Sequence, residues 1–178
     1  MKFNRLKYDL KYMILNFIIN RIPSWYVRKF FYKLLGMKIG AGSRVGINTI
    51  VVEPQNIVIG ERTIINEFCY LDGRGGIVIG DDTSISIQTM FSTGTHNMRS
   101  GDFAYESGEI MVGNNVWIGA RAVILNDTVI ENEAVIGAGC VFKGNAAKKD
   151  VFVGNPARKV KERELEKTYH IDYNPFFR

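Results

Sequence analysis

The sequence predicts an all-β fold, a parallel β-solenoid wound from a six-residue repeat and preceded by a short helical segment. Aliphatic residues return at every sixth position, and a small or β-branched residue follows four places after nearly every one. Short apolar runs closed by glycine punctuate the chain: Ile57-Val58-Ile59-Gly60, Ile77-Val78-Ile79-Gly80, Ile110-Met111-Val112-Gly113 and Val151-Phe152-Val153-Gly154. A period of six fits neither one amphipathic helix nor one long strand, whereas short strands joined by tight corners satisfy it. At 178 residues the chain holds one core and is too short for two domains and a linker.

Residues 1–38 read as a basic helical N-terminal cap. Pro23 and Ser24 open a helix whose apolar residues Trp25, Phe30, Phe31, Leu34 and Leu35 fall at helical spacing, and Gly36 stops it. An earlier helix is expected over Phe3–Asn20. This segment carries nine Lys/Arg against the single acid Asp9, while residues 39–178 carry fourteen against seventeen, so the net charge of +5 belongs to one end. The first reading is a cap over the open first coil. The second is a helix lying on an anionic membrane surface, giving a peripheral contact through residues 1–38.

Residues 39–160 carry the repeat. Its aliphatic positions are Ile39-Val45-Val51, Ile59-Ile65-Leu71, Ile79-Ile85-Phe91 and the unbroken run Val112-Ile118-Ile124-Ile130-Ile136-Phe142. Four residues after each come Ser43, Thr49, Gln55, Thr63, Cys69, Gly75, Thr83, Thr89, Thr95, Val116, Ala122, Thr128, Ala134, Cys140 and Ala146; only Gln55 is neither small nor β-branched. Large aliphatics stack inside and small residues fit the corners, three sides closing one coil. Gly60, Asp81-Asp82, Asn114-Asn115, Asn126-Asp127 and Gly137-Gly139 sit near those corners, where positive φ is expected. The interval from Gly80 to Gly113 is thirteen residues longer than the one before it, and the excess reads as a projecting loop, Asn97–Glu109, with His96 at its root. Residues 161–178 form a charged tail that includes His170.

Composition narrows the chemistry. Two cysteines, Cys69 and Cys140, fit neither a disulfide scaffold nor a thiolate metal site, and two histidines do not make a three-histidine site, so no metal is expected. No apolar run approaches the ~20 residues of a membrane span. The expectation is a cytoplasmic protein, with the inner membrane surface as the peripheral alternative, and no nucleic-acid partner.

The repeat, together with Leu71-Asp72-Gly73-Arg74-Gly75-Gly76, Thr95-His96-Asn97, Gly113-Asn114-Asn115-Val116-Trp117-Ile118-Gly119, Ala134-Val135-Ile136-Gly137-Ala138-Gly139 and Val153-Gly154-Asn155-Pro156-Ala157, resembles the hexapeptide-repeat acyltransferases, most closely the O-acetyltransferases of sugars and cell-surface polysaccharides. That resemblance implies a left-handed coil, a hand that periodicity does not reveal, and assembly as a homotrimer. It implies acetyl-CoA as acyl donor, held by Trp117, Gly119, Ala120, Ala138, Lys143 and Arg158. The acceptor, a small-molecule or lipid-linked saccharide, would meet Asn66, Asp72, Arg74 and Asn97. His96 would be the general base, since a sugar hydroxyl does not ionise at neutral pH and imidazole titrates near ~6.5. A serine acetyltransferase and a non-catalytic solenoid scaffold are the alternatives; a γ-class carbonic anhydrase lacks its histidines.

Overall fold

The computed structural model describes residues 2–173. Each coil is built from strands of only two to four residues, because the aliphatic of every hexapeptide must point inward before the chain turns a corner and repeats. Three parallel faces result. The first stacks strands 38–39, 57–59, 77–79, 110–112, 128–130 and 145–146; the second stacks 44–45, 64–65, 84–85, 117–118, 135–136 and 150–153; the third stacks 50–52, 70–72, 90–92, 123–125 and 141–142. The architecture is a left-handed parallel β-helix. Its register is set by the core: Ile39 pairs with Ile59, Ile59 with Ile79, Ile79 with Val112 and Val112 with Ile130. All fifteen repeat aliphatics are buried in one continuous core.

Twelve of the fifteen small-register residues are buried too; Gln55, Gly75 and Thr95 are not. All three fall at the third corner, between the third face and the first. There the early coils run two residues longer than eighteen, a 3-10 turn (Pro54–Asn56, Gly73–Gly75) lifts the register residue outward, and Ile57, Ile77 and Ile110 fill the core in its place. The expected corner chemistry also needs correction. Positive φ is found at the expected Asp82, Asn115, Asp127 and Gly139, but the same columns also place it at Arg62, Glu133 and Lys149 beside Gly42 at the first corner and at Asn48, Phe68, Gln88 and Arg121 at the second, so residue types other than Gly, Asn and Asp share the corners. Gly60 has no such φ; a Cβ there would come within 2.7 Å of the Gly80 carbonyl carbon on the next coil, so close stacking demands it.

Two helices close the open end: α1, Lys2–Met13, and α2, Trp25–Leu34. Between them the chain does not remain α-helical to Asn20 as the sequence predicts. A widened turn at Ile14–Ile18 and a 3-10 turn at Ile19–Arg21 bring Leu15, Asn16, Ile19 and Asn20 together onto the first coil. An unpaired strand edge needs partners, and polar side chains supply them. Asn16 donates to the Val51 carbonyl at 2.9 Å and accepts from the Val51 amide at 2.8 Å, imitating the missing coil. Asn20 donates to Thr49, and the fully buried Arg28 donates to Val45 at 3.0 Å.

At the other end residues 158–162 add an antiparallel strand to 150–153. The tail then runs back along the first corner. Arg163 donates to the Asn115 carbonyl at 2.7 Å, and Asp82 accepts from the Ile171 amide at 3.0 Å, from His170 at 2.9 Å and from both guanidinium nitrogens of Arg62 that face it.

Candidate active site

The predicted thirteen-residue loop is an ordered β-hairpin that begins earlier than expected. Gly94–His96 pairs antiparallel with Tyr105–Ser107, and His96 lies opposite Tyr105. The hairpin is pinned at its root by Asp72, whose side chain is almost fully buried at the end of strand 70–72. It accepts from Arg74 Nε at 2.8 Å and Nη2 at 2.9 Å and from the Gly94 amide at 3.2 Å. Burial alone would raise the Asp72 carboxyl; the Arg74 fork and the two amides outweigh it and hold the group below the usual carboxylate range.

His96 is exposed at the hairpin's edge. Its Nδ1 lies 2.9 Å from the Phe103 carbonyl oxygen, which can only accept. In the neutral ring the contact therefore puts the proton on Nδ1 and leaves the lone pair on Nε2, the arrangement a general base needs. No carboxylate is required to orient it. The ring stacks on Phe103 at 3.9 Å and meets Tyr105 edge-on at 5.6 Å. The Arg74 guanidinium sits 5.4 Å above the Tyr105 ring, so Asp72, Arg74, Tyr105 and His96 form one continuous contact chain at the third corner. The sequence reading did not single out Tyr105, Phe103, or the two tyrosines beside this cluster, Tyr8 of α1 and Tyr70. Burial first, then neighbouring carboxylates, push both tyrosines upward; Asp72 acts on each and Glu53 on Tyr8.

The other expected acceptor residues are arranged differently. Asn97 spends its side chain inside the hairpin, donating to Glu106 Oε1 at 2.8 Å and accepting from the Arg99 amide. Asn66 donates to the Ile85 carbonyl at the second corner, on the opposite end of the third-face strands from His96.

The second corner also holds most of the expected donor-binding residues. Ala120 and Ala138 line an open groove of about 740 Å³ together with Phe68, Ile87, Gln88 and Arg121. Trp117 is half exposed beside it, its Nε1 donating to Ser86 Oγ at 3.2 Å. Arg121, which donates through Nε to Gln88 at 2.7 Å, places a cation in the groove. No spacing rule marked it; its corner φ of 60° turns it there. Gly119 serves the fold, since a Cβ would come within 2.4 Å of the Ala138 amide nitrogen. Lys143 falls at the third corner instead, contacting Asp127 at 3.4 Å and Asn126 at 3.2 Å. Arg158 is exposed on the antiparallel strand. Among the described residues no group of three or more His, Cys, Asp or Glu side chains converges as a metal site, and no helix is long and apolar enough to cross a membrane.

Residues 109–144 match the family described as bacterial transferase hexapeptide (six repeats). The chain is 28% identical over 137 residues to WcaF of Escherichia coli (strain K12), named for acetyl transfer in colanic acid biosynthesis, covering 76% of this chain and 75% of that protein. A maltose O-acetyltransferase from Clostridium difficile 630 superposes with a TM-score of 0.82 at 25% identity, over 90% of this chain and 88% of its own. A hexapeptide-repeat acetyltransferase from Vibrio cholerae, solved with acetyl coenzyme A, gives 0.79 at 25% identity over 87% and 86%.

Proposed function

We propose that this chain, which carries the hexapeptide repeat of the bacterial transferases and the fold of their solved acetyltransferases, moves an acetyl group from acetyl-CoA to a hydroxyl of a sugar or surface-polysaccharide precursor. The observation that carries the chemistry is the contact of His96 Nδ1 with the Phe103 carbonyl. With Nδ1–H committed to the Phe103 carbonyl, Nε2 is free to take a proton. The acceptor hydroxyl attacks the thioester carbonyl as His96 removes its proton, and a tetrahedral oxyanion forms. The intermediate collapses with loss of the CoA thiolate, which takes up the proton held by the imidazolium. Arg74, fixed by Asp72 and stacked on Tyr105, orients the acceptor.

The donor lies in the second-corner groove lined by Ala120 and Ala138, on the coils that carry Trp117 and Gly139, with Arg121 facing its phosphates. Because His96 and this groove open at opposite ends of the third face, the working site joins His96 of one chain to the groove of another. A closed homotrimer satisfies that geometry and ends assembly without a filament.

The test is thiol release from acetyl-CoA across a panel of sugars, followed by His96→Ala. Turnover with the accepted sugar is expected to fall by about 10²–10⁴-fold with the oligomer intact, and His96→Asn is expected to recover little because an amide does not accept the proton. Near-normal turnover in the alanine variant rejects His96 as the base.

A further inference from the structure

Helices that cap a solenoid bury one face and turn a polar face to water. α1 and α2 do not. Leu15, Ile19, Trp25 and Tyr32 are buried against the first coil, yet the opposite sides of the same helices are also apolar. Leu6, Leu10 and Phe17 stand on the outer side of α1 and its extension, and Tyr26, Phe30 and Leu34 on the outer side of α2; each is 49% to 69% exposed. Of twenty-four exposed large hydrophobic side chains among the described residues, eleven fall within residues 6–34. An open groove of about 330 Å³, walled by Leu10, Ile14, Phe31 and Leu35 with Lys7 and Lys11, joins the two stripes into one end surface. A contiguous apolar area of this kind marks an interaction site.

Charge selects the occupant. Nine of the chain's basic residues lie in positions 1–38 against one acid, although the rest of the chain is net negative; Arg28 is buried against the first coil, and Lys7, Arg21, Lys33 and Lys38 are exposed. Arg21 and Lys33 are exposed beside the apolar stripes, and Arg21 sits 5.8 Å from the Phe17 ring. Apolar residues flanked by cations, on helices too short and too charged to span, match the interface of an anionic bilayer, where the aliphatic and aromatic side chains enter the headgroup boundary and the cations meet lipid phosphates. A second copy of this chain would bring the same positive charge against itself.

We infer that the outer faces of α1 and α2 dock the protein onto an anionic phospholipid surface, with Leu6, Leu10, Phe17, Phe30 and Leu34 as the inserted side chains. This docking stands on the exposed end surface and does not depend on the proposed acetyl transfer.

The experiment is co-sedimentation of the full-length protein with vesicles holding about 30% phosphatidylglycerol in phosphatidylcholine, against phosphatidylcholine alone. Binding is expected to the anionic vesicles, at least tenfold weaker to the neutral ones, and to be largely lost near ~0.5 M salt. Phe30→Glu with Leu34→Glu, and separately Arg21→Glu with Lys33→Glu, each substitute exposed positions. Both pairs are expected to cut vesicle binding at least tenfold with the melting temperature unchanged. Absence of binding to the anionic vesicles overturns the inference, as does binding that both pairs leave intact. Sedimentation of the same variants reads the competing occupant: loss of an oligomer without any vesicle binding assigns the surface to a second copy and also overturns it.

Discussion

At the residue scale, environment separates the proposed base from the buried thiols. His96 is held by one backbone carbonyl between two aromatic rings and faces solvent, while Cys69 and Cys140 lie in the core on the small-residue register. Burial pushes the Cys69 thiol up to about 12 and the Cys140 thiol upward as well. Thiolate is the reactive species, so at pH 8 neither should be modified. Titration with a chromogenic disulfide is expected to count no reactive thiol in the native protein and two after denaturation; a fast-reacting native thiol would contradict the burial of that register. Arg74 shows the opposite use of burial: its partner Asp72 is sealed beneath the hairpin, so the guanidinium is fixed in direction yet remains half open to a ligand.

At the scale of elements, the helical cap is held by polar side chains as well as by its apolar face. Asn16 alone replaces two ladder hydrogen bonds of the first coil. Its replacement by leucine leaves both Val51 groups buried and unpaired and is expected to cost about 2–4 kcal/mol, at ~1–3 kcal/mol for each orphaned group with partial relaxation. Denaturant unfolding checks this; a change under ~0.5 kcal/mol would mean the edge is satisfied otherwise. The tail makes a pH-dependent contribution. Burial would raise the Asp82 carboxyl, but hydrogen bonds from Arg62, His170 and Ile171 bring it down to about 2. Its folded value is below its unfolded one, so the stabilisation is fully present above pH ~4 and is lost as pH falls toward 2. Asp82→Asn is expected to flatten the stability profile in that window and to expose residues 163–173 to proteases; an unchanged acid limb would show that Asp82 does not pin the tail.

The elements also show how far a sequence can be read. Six-residue periodicity gives the fifteen repeat aliphatics and the neighbourhood of the excursion, because inward burial is a direct consequence of side-chain type, but it misses Ile57, Ile77 and Ile110, which enter the core where the third corner breaks the period. It could not show that the excursion is a hairpin, since the pairing of His96 with Tyr105 depends on Asp72 holding Gly94 from another coil. Nor could it find Arg121, Tyr8 or Tyr105, whose placement follows from a corner conformation, a helix laid across the coil and a cross-strand pairing. Lys143, which the resemblance implies for the donor, falls at the third corner beside Asp127, on the His96 side of the chain and away from its own Ala120–Ala138 groove.

For the whole molecule, one prism presents the two proposed half-sites and a basic apolar end. His96, Arg74 and Asp72 occupy the third corner, while the Ala120–Ala138 groove occupies the second. The proposed trimer brings them together between neighbours, and this makes a prediction that no single-chain site shares. His96→Ala removes the base, and Ala138→Trp fills the donor groove, so each variant alone should be inactive while remaining trimeric. The two are then mixed in equal amounts under conditions that exchange subunits, and acetyl transfer is measured against the unmixed proteins. Random assembly pairs an intact His96 with an intact neighbouring groove at about a quarter of sites, so about a quarter of wild-type activity should return. Exchanged trimers that stay as inactive as either parent would contradict a shared site.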